Sequence, residues 1–446
     1  MKELIDFLSS LGVDFYFVGG YVRDHLLKRE THDIDITVQG DALDIGRQVA
    51  HHTGGVFVVL DEEEGIARVA DHGWNVDFST IRGGLEDDLK RRDFTIDSLA
   101  QKPSGEIIDL FGGREDLQRG IIRSVTDSAF SEDPIRLLRA VRLSLELGFS
   151  IEEETKGLIQ NQAHLISLSP KERIREEIVR ILSQPSSAPA LDELDRLGLL
   201  TQIIPELSSL KGVDQPPEHF FDVFEHSLKT VAYLEEILAS EVSLPYQKYV
   251  QNDEVLLKIS ALLHDIAKPE TKTIDEGRIR FLSHAIRGAD RTSQILTRLR
   301  FSKHAVRMVA KMVEYHLRPT QMAAPSELPT PHAIYRYFKD TGEVGIHILL
   351  LSLADHLAAR GPNLDPSSFS EHVKLCSYVL RKREKEESMV FPPKLVSGHD
   401  IMHTLSITPS PRVGKILDRI REAQAEGRVK TRKEALDFVH QCIEET

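Results

Sequence analysis

Residues 18–24 of the chain read Val-Gly-Gly-Tyr-Val-Arg-Asp, and they follow an apolar run at residues 15–18. The apolar run predicts a buried strand, and residues 21–27 predict a helix. Gly19 and Gly20 carry no Cβ, so the chain can turn sharply between the two elements and approach a ligand closely. The free N–H groups at the start of the helix favour an anionic group, such as a phosphate, above this turn.

Residues 33–38, Asp-Ile-Asp-Ile-Thr-Val, alternate polar and apolar side chains. In a strand this alternation places Asp33 and Asp35 on one face, about 7 Å apart along the chain. Two neighbouring carboxylates repel each other unless a divalent cation lies between them, and Mg²⁺ takes carboxylate oxygens as ligands. Either motif alone is usually only a turn or a solvated strand edge. Together they predict a site for metal-assisted phosphoryl or nucleotidyl transfer.

Length and composition set limits on the protein. A chain of 446 residues, 41% of them hydrophobic, is expected to form about two to four domains. Cys376 and Cys442 cannot supply a disulfide framework, and this cysteine usage fits a reducing cytoplasm. The chain has no signal-peptide pattern and no run of about 18 apolar residues, so we expect no membrane partner. The net charge of −14 argues against indiscriminate nucleic-acid binding but leaves room for a local basic groove.

The sequence pattern predicts an α+β protein. Residues 1–125 mix strand-like and helix-like segments, whereas the chain from residue 126 onward is predicted to be almost entirely helical. A helix is expected over residues 85–93. Asp77 lies on a predicted strand at residues 74–78, where it could add a third carboxylate near Asp33 and Asp35.

Three arginines recur along a predicted helix at residues 134–147. Arg136, Arg139 and Arg142 are spaced three residues apart, so they share one face of the helix. This face is either solvated, or it lies against a polyanion or several carboxylates. Asp133 either caps the helix or presents its carboxylate, together with Arg136, as an edge of acceptors and donors that can read a base.

A second group of polar residues follows a predicted domain boundary in the Pro- and Gly-containing loop at residues 211–221. Neutral imidazoles and carboxylates suit transition-type divalent metals, and the group could hold one or two ions. With 19 histidines in the chain, a single such residue is more often a core or surface residue than a ligand. The candidate ligands are His226, His264, Asp265, His284, His316 and Asp355.

In this order and at this spacing, the motifs resemble the bacterial class II tRNA nucleotidyltransferase and poly(A) polymerase family, the CCA-adding enzymes. The match covers nearly the whole chain. The resemblance implies that Asp33 and Asp35 are catalytic and bind Mg²⁺. It implies nucleotide binding by Gly19, Gly20, Arg23, Arg92, Asp133, Arg136, Arg139 and Arg142. It also implies that the six histidines and aspartates form the metal site of an HD phosphohydrolase domain.

The same resemblance implies the domain organisation. A polymerase-beta-like nucleotidyltransferase head would occupy residues 1–125, and a helical neck that reads the base and binds RNA would occupy residues 126–205. An HD-type helical domain would occupy residues 206–361, and a helical tail that contacts tRNA would occupy residues 362–446.

Two departures from the family pattern bear on specificity. The family usually reads Thr-Ile-Asn-Ala after its second signature, where this chain has Thr-Ile-Asp-Ser at residues 95–98. The family's second signature corresponds to residues 89–96 of this chain. In CCA-adding members a longer flexible loop lies between this signature and the preceding strand, here the predicted strand at residues 74–78. That loop helps to switch the pocket from CTP to ATP. Here Phe78 is followed within a few residues by Leu85. Members without the loop resemble CC-adding enzymes, which leave the last A to a separate A-adding partner enzyme.

We therefore expect a cytoplasmic enzyme that adds two cytidines from CTP to the acceptor end of tRNA. The alternatives are a complete CCA-adding enzyme that also binds ATP, a poly(A) polymerase acting on general RNA 3′ ends, and a phosphohydrolase that acts on cyclic phosphates through its HD domain.

Overall fold

The computed structural model describes residues 2–71, 73–324, 327–385, 390 and 392–444. The chain divides into two compact units, each of which is described by itself. The first unit comprises Met1–Gln184 and Ala190–Ile203, and the second comprises Pro185–Pro189 and Ile204–Thr446. Within the predicted tail, residues 386–389, 391 and 445–446 lie outside the described residues.

The first unit is built on a seven-stranded mixed sheet with the order β3-β4-β5-β2-β1-β6-β7. The β2 and β5 strands are parallel, and the other neighbours are antiparallel. The strands are β1 (Phe15–Val18), β2 (Asp33–Val38), β3 (Val56–Asp61), β4 (Ile66–Asp71), β5 (Trp74–Thr80), β6 (Leu99–Gln101) and β7 (Ile107–Asp109). The buried strand predicted at residues 15–18 and the carboxylate strand at residues 33–38 are both confirmed.

Helices surround this sheet and continue into the predicted neck. They are α1 (Lys2–Ser10), α2 (Gly19–Leu26), α3 (Ala42–Thr53), α4 (Leu85–Lys90), α5 (Gly113–Arg119), α6 (Ala129–Glu132), α7 (Arg136–Leu147), α8 (Glu153–Gln162), α9 (Lys171–Leu182), α10 (Ala188–Arg196) and α11 (Leu199–Ile203). Two short parallel strands, β8 (Ile121–Ile122) and β9 (Ser150–Ile151), pair within this region. The two-residue β9 strand is a small exception in a region predicted to be almost entirely helical.

Three helix boundaries differ from the prediction. The α2 helix begins at Gly19 rather than at residue 21, so the glycines form its first turn and are not a separate loop. The α4 helix ends at Lys90, because the backbone turns after Arg91 into a 3₁₀ turn at Thr95–Asp97. The α7 helix begins at Arg136 rather than at residue 134.

The second unit is mainly helical. Its helices are α12 (Val223–Ala239), α13 (Gln247–Val250), α14 (Glu254–Leu263), α15 (Lys268–Thr271), α16 (His284–Arg298), α17 (Lys303–Tyr315), α18 (Arg318–Gln321), α19 (Pro331–Thr341), α20 (Gly345–Arg360), α21 (Pro366–Lys385), α22 (Gly398–Leu405), α23 (Pro411–Ala425) and α24 (Arg432–Glu444). An antiparallel hairpin of β10 (Lys272–Asp275) and β11 (Arg278–Phe281) interrupts the helices, and the sequence pattern does not predict it.

One stretch, Pro331–Asn363, is long and apolar enough to cross a membrane by length and composition alone. Most of its apolar window, 67%, is buried inside the protein. The stretch also contains two separate helices, α19 and α20, joined by a 3₁₀ turn at Gly342–Val344. Burial of this kind is typical of the core helix of a soluble protein.

Candidate active site and candidate metal centre

The first unit contains a cleft of about 390 Å³ beside the glycine turn. Most of the nucleotide-site residues predicted from the sequence line it, namely Gly19, Gly20, Arg23, Asp35, Arg92, Arg139 and Arg142. Asp33, Asp133 and Arg136 are not among its lining residues. Four carboxylates, those of Asp35, Asp77, Asp93 and Asp97, line the same cleft. The cleft therefore combines the arginines and carboxylates that triphosphate and metal binding require.

Asp35 and Asp77 are direct neighbours across the parallel β2 and β5 strands, so the third carboxylate lies where the sequence predicts it. Arg68 holds Asp77 through two hydrogen bonds of 2.7 and 2.8 Å. Asp33 accepts a hydrogen bond of 3.1 Å from Asn75 Nδ2. Burial raises the pKa of Asp35, and the nearby Asp77, Asp97 and Asp33 charges raise it further against the opposing effect of Arg92. A cation bound here would relieve this repulsion.

The glycine turn leaves space that a side chain would fill. Gly19 has a φ of +66°, and a Cβ at this position would lie 2.6 Å from Arg92 Nη1 and 3.0 Å from Asp35 Oδ2. A larger residue would therefore displace both the candidate metal ligand and the candidate phosphate contact. The absence of a Cβ creates the close approach that was predicted for this turn.

Arg23 is held more tightly than the sequence indicates. Its Nε and Nη2 atoms donate to Asp24 at 2.9 and 3.1 Å, and its Nη1 donates to Asp97 Oδ1 at 2.7 Å. The side chain is only 11% exposed. Contact between Arg23 and a phosphate stays a prediction, whereas its role in fixing two carboxylates is visible in the structure.

The arginines of α7 lie against carboxylates, so the solvated alternative does not apply to Arg139 and Arg142. Arg139 Nε donates to Asp93 Oδ2 at 2.6 Å, and the Asp93 charge raises the pKa of Arg139. Arg142 is buried and donates to Glu177 at 2.7 Å and to Glu146 at 2.6 Å. These pairs fix the neck helix beside the cleft.

Asp133 and Arg136 have different partners. Arg136 donates to the backbone carbonyl oxygens of Ala129 and Arg91, at 3.1 and 2.5 Å. Asp133 follows α6 in an extended conformation, and its Oδ1 accepts a hydrogen bond of 3.4 Å from the Ile135 N–H just before α7. Its carboxylate also accepts two hydrogen bonds from Arg173 on α9, at 3.0 and 2.8 Å. The basic pattern of α9 is visible in the sequence, but this pairing is not.

The second unit brings all six predicted ligands together. His226, His264 and Asp355 form one group, and Asp265, His284 and His316 form another. Within each group the ligand atoms lie within 4.8 Å of one another. His226 Nε2 lies 3.1 Å from Asp355 Oδ1, and His264 Nε2 lies 3.1 Å from Asp265 Oδ2. Two groups of three ligands can accommodate one or two divalent ions.

Backbone carbonyl groups orient three of these imidazoles. The Nδ1 atoms of His264, His284 and His316 lie 2.7 to 2.8 Å from carbonyl oxygens of the preceding turns. A donating Nδ1–H leaves Nε2 as a lone-pair donor toward the centre, as in metal-binding histidines. His284 Nε2 is buried and has no hydrogen-bond partner among the described residues. The residues therefore fit a divalent metal.

Electrostatics support the same interpretation. Burial lowers the pKa of His316 to about 3. Burial opposes ionisation of Asp355, but its hydrogen bond to His226 and the His264 charge hold its pKa below the usual value. Lys268 Nζ lies 2.6 Å from Asp265 Oδ2 and donates to Gln215 at 2.6 Å. The sequence pattern did not identify Gln215 or His219, whose ring packs edge-on against His226.

The fold and these two sites define a nucleotidyltransferase head joined to an HD-type helical unit. A Poly A polymerase head domain model matches residues 15–84 and 83–123, and an HD domain model matches residues 223–360. A model of an RNA and SrmB-binding site of polymerase A matches residues 148–211, and a tRNA nucleotidyltransferase domain 2 model matches residues 393–439.

Relatives extend over nearly the whole chain. The A-adding tRNA nucleotidyltransferase of Deinococcus radiodurans is 35% identical over 96% of this chain and 95% of its own. The CC-adding tRNA nucleotidyltransferase of Thermus thermophilus is 33% identical over 98% and 95%. The solved structure of the Thermotoga maritima CCA-adding enzyme complexed with tRNA shares the fold, with a TM-score of 0.62 and 20% identity over 99% and 94% of the two chains. The chain therefore belongs to the tRNA nucleotidyltransferase and poly(A) polymerase family and is a tRNA nucleotidyltransferase.

Proposed function

We propose that this enzyme adds the two cytidines of the 3′-terminal CCA to tRNA and stops there. The observation that carries the proposal is the short connection between β5, the strand of Asp77, and the second family signature at residues 89–96. The β5 strand ends at Thr80 and α4 begins at Leu85, so only residues 81–84 connect them. The loop that CCA-adding members use to switch from CTP to ATP has no counterpart of comparable length here.

The contacts of this connection support a fixed rather than a swinging segment. Arg82 forms an ion pair of 3.2 Å with Glu64, and its carbonyl oxygen accepts a hydrogen bond of 3.2 Å from Arg91. Gly83 has a φ of +78°, and a Cβ there would lie 2.6 Å from Asp87 Oδ2. Both ends of the connection are tied to neighbouring elements, and residues 81–84 are too few to reach across the cleft.

The proposed roles follow from the cleft. Asp33 and Asp35 hold Mg²⁺, and the glycine turn and Arg92 hold the triphosphate. When bound, Mg²⁺ supplies Lewis-acid stabilisation of the attacking and leaving oxygens. Asp133 and Arg136 read the cytosine edge. A carboxylate has about four lone-pair sites, so Asp133 can bind Arg173 and still accept from the cytosine amine.

The histidine and aspartate centre supports a second activity. Its ligand groups favour one or two divalent ions that activate water for hydrolysis of a phosphate ester, such as a cyclic phosphate. Residues 411–433 of the tail carry eight lysines and arginines against three acidic residues, an excess that suits contact with the tRNA backbone. We place the protein in the cytoplasm, with a separate enzyme supplying the terminal A.

One assay tests the main proposal. Purified protein is incubated with tRNA transcripts lacking CCA, lacking CA or lacking A, with single nucleotides supplied, and the 3′ ends are sequenced. We expect CTP addition that stops at CC. Completion to CCA, or addition of A to transcripts already ending in CC, as the name of the Deinococcus relative describes for that enzyme, would overturn the short-connection argument. Long A tails would favour a poly(A) polymerase.

A parallel assay with nucleoside 2′,3′-cyclic phosphates tests the second activity. Hydrolysis that requires an added divalent metal supports it. Hydrolysis without tRNA extension would mean that the centre in the second unit carries the main function. An Asp35→Asn variant is the control, since it should lose extension while retaining hydrolysis.

A further inference from the structure

Asp97 carries a buried carboxylate oxygen that faces no donor. It lies on the 3₁₀ turn Thr95–Asp97, lines the cleft and is only 4% exposed. Its Oδ1 accepts a hydrogen bond of 2.7 Å from Arg23 Nη1. Its Oδ2 is buried and has no hydrogen-bond partner among the residues that the structure describes. A buried acceptor without a donor is costly, so a donor is expected from outside the protein.

Other carboxylates of the cleft already have partners. Asp77 is bound by Arg68 through both of its oxygens, and Asp93 Oδ2 is bound by Arg139. The Oδ2 atom of Asp97 is therefore an acceptor that these side chains leave available beside Asp35. The charge of Asp97 is close enough to Asp35 to contribute to the raised pKa of that group.

We propose that Asp97 Oδ2 accepts a hydrogen bond from a water molecule bound to the Mg²⁺ ion at Asp33 and Asp35. This inference rests on the proposed metal site. Mg²⁺ releases its waters reluctantly, and the retained waters are strong donors. Direct coordination of the ion by Asp97 together with Asp33 and Asp35 fits less well. In the described part of the chain, the groups of three His, Cys, Asp or Glu side chains with ligand atoms within 4.8 Å of one another all lie in the second unit. Asp97 is thus a positioning residue for the hydrated ion.

The identity of the residue makes the proposal specific. Because Arg23 offers an N–H to the side chain, an Asn would turn its carbonyl oxygen toward Arg23 and its NH₂ group toward the cleft. Asp presents an acceptor at the point where Asn would present a donor. The Asp97→Asn variant therefore reverses the polarity of one atom at nearly constant shape.

The sole tryptophan of the chain provides a local readout. Trp74 begins β5, next to Asn75, which pairs with Asp33 across the strands. Quenching of its fluorescence by Mn²⁺ that is lost in Asp35→Asn reports the head site. We expect Asp97→Asn to raise the Mn²⁺ concentration for half-maximal quenching about tenfold, the usual range for losing a group that orients a metal site. The Mg²⁺ concentration for half-maximal CTP addition should rise in parallel.

Asp77→Asn is the matched control. Asp77 lies beside Asp35 on the neighbouring strand, and its charge affects Asp35 more than the Asp97 charge does. A purely Coulombic effect would therefore make Asp77→Asn at least as damaging as Asp97→Asn. The proposal requires the opposite order, so an equal or larger shift in Asp77→Asn, or an unchanged titration of Asp97→Asn, overturns it.

Two further measurements keep the test decisive. Asp97→Ala removes the acceptor without offering a donor, so it should also weaken Mn²⁺ binding. It replaces Asp97→Asn in the test if that variant does not fold. The metal-free melting temperature of each variant verifies folding. Quenching of the wild type that disappears in Asp35→Asn supports the metal site itself. Absence of quenching in the wild type overturns both that site and the role of Asp97, whereas normal quenching in Asp97→Asn overturns only the latter.

Discussion

The cleft of the first unit and the centre of the second unit both gather carboxylates, but they balance charge differently. In the cleft, arginines hold the carboxylates, as Arg68 holds Asp77 and Arg139 holds Asp93. In the centre, imidazoles surround Asp265 and Asp355, and Lys268 forms an ion pair with Asp265. The cleft is suited to an anionic substrate that replaces the carboxylates as partners of the arginines. The centre is suited to holding metal ions.

The difference extends to protonation. Burial raises the pKa of Asp35 in the cleft, where neighbouring carboxylates add to the effect. In the centre burial opposes the charge of Asp355, but the hydrogen bond to His226 and the charges of His264 and His226 together lower its pKa. The surroundings of the cleft therefore oppose the charge of Asp35, whereas those of the centre favour the charge of Asp355.

The largest expected effect separates the two sites by activity. Asp35→Asn should reduce CTP addition by about 10³-fold or more, since metal stabilisation of the transition state is worth several kcal/mol. Metal bound by the second unit should not change. The measurement is a rate of CTP incorporation alongside metal content by atomic absorption. Asp41→Asn is the control, because Asp41 caps α3 and Asn caps equally well. Residual CTP addition near the wild-type rate would refute the assignment of Asp35.

The reciprocal variant acts on the centre. Asp265→Asn should weaken metal binding by the second unit by about 100-fold, because it removes a carboxylate from the ligand group. CTP addition should stay within about twofold of the wild type, a level at which no transition-state contact has been lost. Metal content and CTP incorporation are measured together. Asp253→Asn, which alters the partner of His347 in the same unit, is the control. Loss of CTP addition in Asp265→Asn would contradict the separation of the two sites.

Acid should affect the second unit first. Burial lowers the pKa of His372 to about 4, below the unfolded value near 6.5. The unfolded chain therefore binds a proton that the folded chain does not, and stability is lost as pH falls from 6.5 toward 4. The free energy of unfolding of His372→Gln should therefore decrease by about 2–3 kcal/mol less than that of the wild type over this pH range. Far-ultraviolet circular dichroism during urea unfolding at pH 7 and pH 5 measures it, with the exposed His304→Gln as the control. Equal pH dependence in both variants would count against it.

The head should withstand the same acid. Burial alone would raise the pKa of Asp93, but the Arg139 guanidinium lowers it below the usual value. The stability from this pair is present above the unfolded pKa of about 3.9 and is lost only as pH falls through the lower folded value. Trp74 fluorescence reports unfolding of the head, so its urea midpoint should change less between pH 7 and pH 5 than the circular dichroism midpoint.

The smallest expected effect concerns base selection. Arg173→Ala releases the Asp133 carboxylate from its two hydrogen bonds. A less rigid acceptor should reduce discrimination between CTP and UTP by about 1 kcal/mol, or about fivefold. Competition between the two nucleotides measures it, and Arg180→Ala on the same helix is the control. An unchanged ratio would mean that Asp133 does not read the base in the way proposed here.

Much of the head could be predicted from local pattern. The buried strand at Phe15–Val18 and the alternating Asp33–Val38 strand depend on neighbouring residues, and both are confirmed, whereas the glycines predicted as a separate turn are the first turn of α2. The mainly helical character of the chain after residue 126 could also be predicted, and so could the identities of the histidines and aspartates of the centre. Helix starts were predicted less well, as at α7, where the turn after α6 delays the helix to Arg136.

Pairings between distant residues could not be predicted. The sequence left Asp133 to cap a helix or to read a base, and it gave no sign that Arg173, forty positions away, binds its carboxylate. Arginine spacing on α7 left a solvated face open as an alternative, and the fold excluded it by placing Glu177 and Asp93 opposite. Such pairs depend on which helices pack together, and a helical or strand period carries no information about that.

The sequence by itself determined the family, the α+β class and the identities of the chemical groups, because motif order and local periodicity are properties of short segments. Only the tertiary structure decided how those groups are balanced. It placed Asp77 beside Asp35 and in contact with Arg68, gathered six ligands from distant segments into one centre, and left one oxygen of Asp97 without a hydrogen-bond partner among the described residues. These outcomes arise from long-range packing, which fixes the burial and the partner of each charge.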